Sequence, residues 1–121
     1  MISLMRIISK FLEETIEHMD TKALEKYLCP DFELESNRYR MTLKGYRDHL
    51  TEAFKSIKSI EVQKPFADIF AKNDKVAARF TIAITDLNNK REEIDINATF
   101  QFRGPKILRW WEVTYPDWQT M

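Results

Sequence analysis

The chain has 121 residues, with 19 basic and 19 acidic side chains and a formal net charge of zero. That balance excludes nucleic acid as the main partner, because neutralising phosphates needs a basic excess. A single cysteine, Cys29, rules out an intramolecular disulfide and fits a reducing, cytoplasmic setting, and no apolar run is long enough to span a bilayer.

The amino-terminal stretch MISLMRIISKFLEETIEHM reads as a helix rather than a secretory leader. Arg6 and Lys10 interrupt it, and no small-residue cleavage site follows. Leu4, Ile8, Phe11, Thr15 and Met19 fall at helical spacing, widened by Ile7, Leu12 and Ile16. A second, shorter helix follows in DTKALEKYL, with Asp20 or Thr21 as its cap and Pro30 as its stop. DFELES alternates Phe32 and Leu34 against Glu33 and Glu35, the mark of a half-buried strand. NRYRMTLKG reads as a loop. The next pattern, near residues 43 to 57, predicts a third helix capped by Thr42, with Leu43, Tyr46, Leu50 and Phe54 on one face.

Beyond Ser59 the period changes to two. IEVQKPFADIFA reads as one strand, with Pro65 tolerated at an edge or bulge. In KVAARFTIAIT, Val76, Ala78, Phe80, Ile82 and Ile84 share a side. In REEIDINATFQF, Ile94, Ile96, Ala98, Phe100 and Phe102 do the same. The short turns between strands predict an antiparallel meander, and helices before strands give an α+β domain spanning 1–121. One sheet face is apolar and must be covered by the helices.

The last stretch, GPKILRWWEVTYPDW, carries large residues on both sides. Without a bulge, Ile107, Arg109, Trp111, Val113 and Tyr115 face the helices, and Trp110 and Glu112 face away; the opposite choice would bury Leu108 and Glu112 with Trp110. Arg109 then needs a carboxylate such as Glu14 or Glu17, or water, because an unpaired buried guanidinium is prohibitively costly.

The helix order, PDFELES after the second helix, LKGYRDHL opening the third, and KILRWWEVTYPD at the end resemble the NTF2-like superfamily, and within it the SnoaL-like group. The similarity covers nearly the whole chain. It implies a cone: a strongly curved, mostly antiparallel sheet wrapped around a long helix. Members include isomerases, cyclases, dehydratases, epoxide hydrolases and domains that only bind or dimerise. Their catalytic groups lie inside the cone, often with an acid near the end of the last strand, where Tyr115 stands here. The arginine and aspartate of epoxide-hydrolase-like members correspond to Phe80 and Ile82. The inward base of isomerase-like members would fall among Phe32, Leu34 and Ser36. The chain departs from each of these patterns.

Two readings follow. In the first, the chain binds a small apolar ligand inside the cone and moves a proton on it. Arg109 and Tyr115 are its catalytic groups, and Ser36, Met41, Tyr46, Phe80, Phe100 and Trp111 line its pocket. In the second, it is a non-catalytic dimerisation or interaction module whose interior is filled by its own side chains. In both, a homodimer forms through the outer sheet face at Arg79, Asn97, Gln101, Trp110 and Glu112. His18 and His49 read as surface or edge residues and Cys29 as a buried thiol. No metal-ligand spacing is present, and no cofactor is implied.

Overall fold

A computed structural model of the chain describes residues 3–117. Trp118, at the end of the closing stretch, and positions 1 and 2 of the amino-terminal stretch lie outside the described residues. Helix α1 (Leu4–Phe11) continues as a wider π-helical segment, Leu12–Glu17. Ile8, Phe11, Leu12, Thr15 and Ile16 are all buried along it. The fully enclosed Thr15 hydroxyl donates to the Phe11 carbonyl at 2.6 Å, which satisfies it without a tertiary partner. Asp20 caps the next turn by accepting from the Lys22 amide at 3.0 Å, and α2 (Leu24–Tyr27) follows. Helix α3 (Leu43–Phe54) begins at Thr42, whose hydroxyl accepts from the Gly45 amide at 3.2 Å.

Two strand assignments change. The stretch read as a loop contains β2 (Tyr39–Thr42), a hairpin partner of β1 (Leu28–Ser36). Tyr39 and Arg40 are both exposed there, so no alternation marks the strand. The stretch read as one strand is two, β3 (Ile57–Val62) and β4 (Asp68–Lys72). Pro65 between them has no N–H to extend a ladder. Both pieces pair with β5 (Lys75–Asp86), β4 along its first half and β3 along its second. With β6 (Arg91–Arg103) and β7 (Lys106–Tyr115), the seven-stranded sheet runs β2-β1-β7-β6-β5-β3, and β4 also pairs with β5. The last three strands form the expected antiparallel meander. Strand β1 joins β7 in parallel.

The apolar faces of β5 and β6 turn inward as the alternation required. Phe80, Ile94 and Phe100 are each at most 2 % exposed. Helices α1, α2 and α3 cover that face with Phe11, Leu24, Tyr46 and Leu50. The parity of β7 is the opposite of the expected one. Its pairing with β6 runs Phe102 to Ile107 and then Gln101 to Arg109, so Leu108 is an extra residue. This bulge puts Ile107 and Trp110 on the same face, and the inward set becomes Trp110, Glu112 and Thr114. Trp110 gains three edge or tilted ring contacts, with Phe11, Tyr46 and Phe100 at 5.6, 5.6 and 4.9 Å. Arg109 is left half-buried beside water rather than among the rings.

Candidate functional site

Between α3 and the inner sheet face lies a cavity of about 950 Å³. Its walls are mostly aliphatic and aromatic: Leu12, Ile16 and Leu34 on one side, Phe80, Ile94 and Ile96 on the other. Among the described residues, side chains do not close the interior, as the dimerisation-module reading required. It exceeds the roughly 300 Å³ at which ligand sites begin.

Inside the mouth, polar side chains of β7 and α3 break this lining. Glu112 is 9 % exposed, and its Oε2 accepts from the Ser36 hydroxyl at 2.6 Å. Thr114, the next inward position on β7, is held by Asn37, which donates to its hydroxyl and accepts from its amide, both at 3.0 Å. Asn37 occupies the left-handed region at φ 55°, a conformation asparagine tolerates better than most residues. Its own amide donates to the Glu112 carbonyl at 3.0 Å. The β1–β2 turn thus fixes the strand on which the carboxylate sits. Tyr46 and His49 project from the same face of α3, three positions apart. Burial, then the charge of Glu112, holds the Tyr46 phenol well above its ordinary titration range. Burial lowers the pKa of His49. At neutral pH the pair is a protonated phenol and an uncharged imidazole. Beside them the Trp110 indole Nε1 is buried without a hydrogen-bond partner.

The cavity mouth is formed by the end of α3 and the β5–β6 turn, with Glu52, Lys55, Asp86, Leu87, Lys90 and Glu92 around it. The Leu87 amide donates to the Ser56 carbonyl at 3.2 Å, tying the two rims together.

No protein-family model matches the sequence, and no curated protein does. Solved structures do match in fold. IdmH from Streptomyces antibioticus, a candidate polyketide cyclase, superposes with a TM-score of 0.78 at 14% identity over 93% of this chain and 92% of its own. A candidate polyketide cyclase from Acidithiobacillus ferrooxidans gives 0.77 at 16% identity, over 97% and 92% of the two chains. A SnoaL-like polyketide cyclase from Agrobacterium tumefaciens gives 0.74 at 23% identity, over 94% and 92%. The fold is NTF2-like. At these identities the likeness speaks for the fold alone.

Within the NTF2-like cone the expected catalytic pair is dispersed. Tyr115 is 78 % exposed on the outer face. Arg109 donates to the Asp31 and Leu108 carbonyls at 3.0 and 2.9 Å and lies 3.4 Å from Glu33. Neither Glu14 nor Glu17 is its partner: Glu14 pairs with Lys26 at 3.2 Å, and Glu17 accepts from the Val62 amide at 2.8 Å. Of the expected pocket residues, Tyr46 and Phe80 line the cavity. Ser36 reaches it through Glu112, Phe100 is fully buried behind Trp110, and Met41 is partly buried at the edge of the core. Trp111 is outside, 40 % exposed. Of the expected interface residues, Arg79, Asn97 and Gln101 lie on the outer face, while Trp110 and Glu112 point into the cone. The bulge at Leu108 accounts for the exchanges on β7, with Trp110 and Glu112 turned inward and Arg109, Trp111 and Tyr115 outward. His49, expected at the surface or an edge, is half-buried on α3 and lines the cavity. The resemblance set an acid near the end of the last strand at the position of Tyr115; the buried carboxylate on that strand is Glu112, three residues earlier. The parity expected for the strand had turned Glu112 outward, and the signal against that parity was the cost of placing Arg109 inside. Among the described residues no group of three or more His, Cys, Asp or Glu is arranged to hold a metal, and no helix is long and apolar enough to cross a membrane.

Proposed function

We propose that this chain binds a small, largely apolar molecule in the cone and moves a proton on it, with Glu112 as the group that takes the proton. The observation that carries this reading is a carboxylate at 9 % exposure on the wall of an apolar cavity of about 950 Å³. Ser36 binds one carboxylate oxygen and so fixes the orientation of the group without neutralising it. The apolar walls keep water from competing with a bound substrate for the carboxylate. Tyr46, kept protonated, donates to an oxygen on which negative charge develops. The three structures described above, with the same fold and names that point to polyketide cyclases, support a reaction of this type.

The test is exchange of the acidic C–H of 2-tetralone, a bicyclic ketone that the cavity accommodates, followed in D₂O by mass spectrometry. The wild-type chain accelerates exchange, and Glu112→Gln lowers the rate by about 10²–10⁴-fold, the span of a general base. Equal rates in the two proteins, with the variant folded, sink the assignment of Glu112.

The outer face supports a second role alongside the first. Trp111, Val113 and Tyr115 alternate along it at 40, 62 and 78 % exposure, beside Thr99, Asn97 and Asp95 of β6. Large aromatic side chains flanked by polar ones are the composition of a protein interface. A second copy of the chain is the partner we propose there.

A further inference from the structure

The inward positions of the sheet form rows across the cavity floor, and the rows change character from the inner end to the mouth. Phe100 and Trp110, paired in register with rings 4.9 Å apart, close the inner end. The next row sets Glu112 opposite Ala98, and the one after it Thr114, Ile96 and Phe80. Ile94 then faces Ile82, and Glu92 faces Ile84 in the last row before the mouth. Successive rows are two residues apart along β6, so the Glu92 row lies about 20 Å from Glu112. The opposite wall changes in step. Tyr46 and His49 come first along α3, with Leu50, Ala53 and Phe54 after them. Just beyond that helix, Ser56 is tied to Leu87 at the mouth. The cavity thus has a polar inner end and an aliphatic middle about 13 Å long, between the Ile96 and Glu92 rows. At the mouth Glu52, Lys55, Asp86, Lys90 and Glu92 form a charged collar.

We infer that the substrate is an elongated carbonyl compound with two polar ends, its acidic C–H at Glu112, its apolar middle against Ile94, Ile82 and Ile84, and its far end in the collar. The inference rests on the proposed function and names its substrate class. The C–H bond breaks, the proton passes to a Glu112 carboxylate oxygen, and the bonding pair stays on the substrate as an enolate. Tyr46 donates to the enolate oxygen, and no oxidant or reductant takes part. Length is what the cavity selects. A charge carried part-way along the substrate lies unpaired among isoleucines, which is costly. A charge carried at the far end reaches the collar, where Lys55 meets Glu52 at 3.0 Å and Lys90 meets Glu92 at 3.2 Å, so either sign finds a partner.

Three acids with one dicarbonyl head measure that length: 8,10-dioxoundecanoate, 12,14-dioxopentadecanoate and 16,18-dioxononadecanoate, which extend about 10, 14 and 19 Å from the acidic carbon to the carboxylate. Each is titrated calorimetrically into the full chain at pH 7 beside its methyl ester. The short and middle acids bind at least about tenfold weaker than their esters, because the carboxylate is held among the isoleucines. The long acid binds as tightly as its ester. Ile82→Lys puts an ammonium group in the Ile94 row, about 13 Å from Glu112, and brings the middle acid to at least the affinity of its ester. A ratio of ester to acid that does not change with length overturns the inference. The assignment of Glu112, tested by exchange of 2-tetralone, stands or falls separately. A middle acid that gains nothing in a folded Ile82→Lys overturns the inference too. Where that variant no longer binds 2-tetralol, which has no far end, the ratios in the wild-type chain decide alone. Binding of no acid, no ester and no 2-tetralol to the wild-type chain removes the cavity reading and the inference together.

Discussion

Trp110 and Trp111 are neighbours in sequence with opposite fates, and the difference is worth several kcal/mol. Trp110 is 4 % exposed and touches three rings. Trp110→Ala should therefore cost about 3–5 kcal/mol in urea unfolding, as for other large aromatic truncations in a core. Trp111→Ala removes a side chain that is 40 % exposed and should stay within about 1 kcal/mol of the wild type. The reverse order would restore the opposite parity and empty the site of Glu112. That parity was not legible from alternation, because both sides of the strand carry an aromatic and a charged residue. What the sequence did contain was the misfit of Arg109. A guanidinium among phenylalanines costs more than a one-residue bulge, so the bulge wins. His49 carries a prediction of its own. Burial depresses its pKa below the ordinary 6.5, so the unfolded chain binds the proton more readily than the folded one. Folding is favoured fully above that value and weakens as pH falls through 6.5 toward the depressed pKa. His49→Gln should flatten the loss of stability between pH 7.5 and 5, read from urea midpoints. An unchanged slope would place the titrating group elsewhere.

Elements were legible where one physical pattern dominated. Strands β5 and β6 have clean alternation, and a one-residue slip would expose Phe80, Ile94 and Phe100 together, so their faces could be read directly. The caps at Asp20 and Thr42 were legible for a similar reason, since a side-chain oxygen placed there satisfies an otherwise free helix amide. Strand β2 and the parallel pairing of β1 with β7 were not legible. The first has mostly exposed residues, and the second joins segments far apart in sequence, which no local period reports. The π-helical segment belongs with these. Its wider turn brings Leu12 and Ile16 to the cavity wall while burying Thr15, and ordinary helical spacing does not distinguish it. It also places Glu17 where its Oε2 accepts from the Val62 amide at 2.8 Å, so a side chain of the helix binds the backbone of β3. Glu17→Ala leaves that amide without its acceptor and should cost about 1–3 kcal/mol. Hydrogen exchange at Val62 should rise with it. Protection unchanged in the variant would mean that the contact does not hold helix and sheet together.

At the scale of the whole molecule, two surfaces compete for the large apolar and aromatic side chains of β7, and the bulge divides them. Trp110 goes to the core and Trp111, Val113 and Tyr115 go to solvent. A monomer rarely leaves such a row uncovered. The row sits beside Arg79, Asn97 and Gln101, which supply a polar surround. Arg79 is already joined to Asp68 at 2.9 Å, so it does not bring an unpaired charge to a contact. A copy related by a two-fold axis would set row against row, because such an interface uses the same patch on both subunits. Trp111→Asp puts a carboxylate near the centre of that patch on each subunit, where the two charges face each other without a cation. Light scattering across a concentration series should give a dimer for the wild type and a monomer for the variant. The fold and the cavity should be unchanged, as judged by circular dichroism and by retained binding of 2-tetralol. A wild-type chain that is monomeric at high micromolar concentration would end the outer-face proposal. So would a Trp111→Asp variant that remains a dimer.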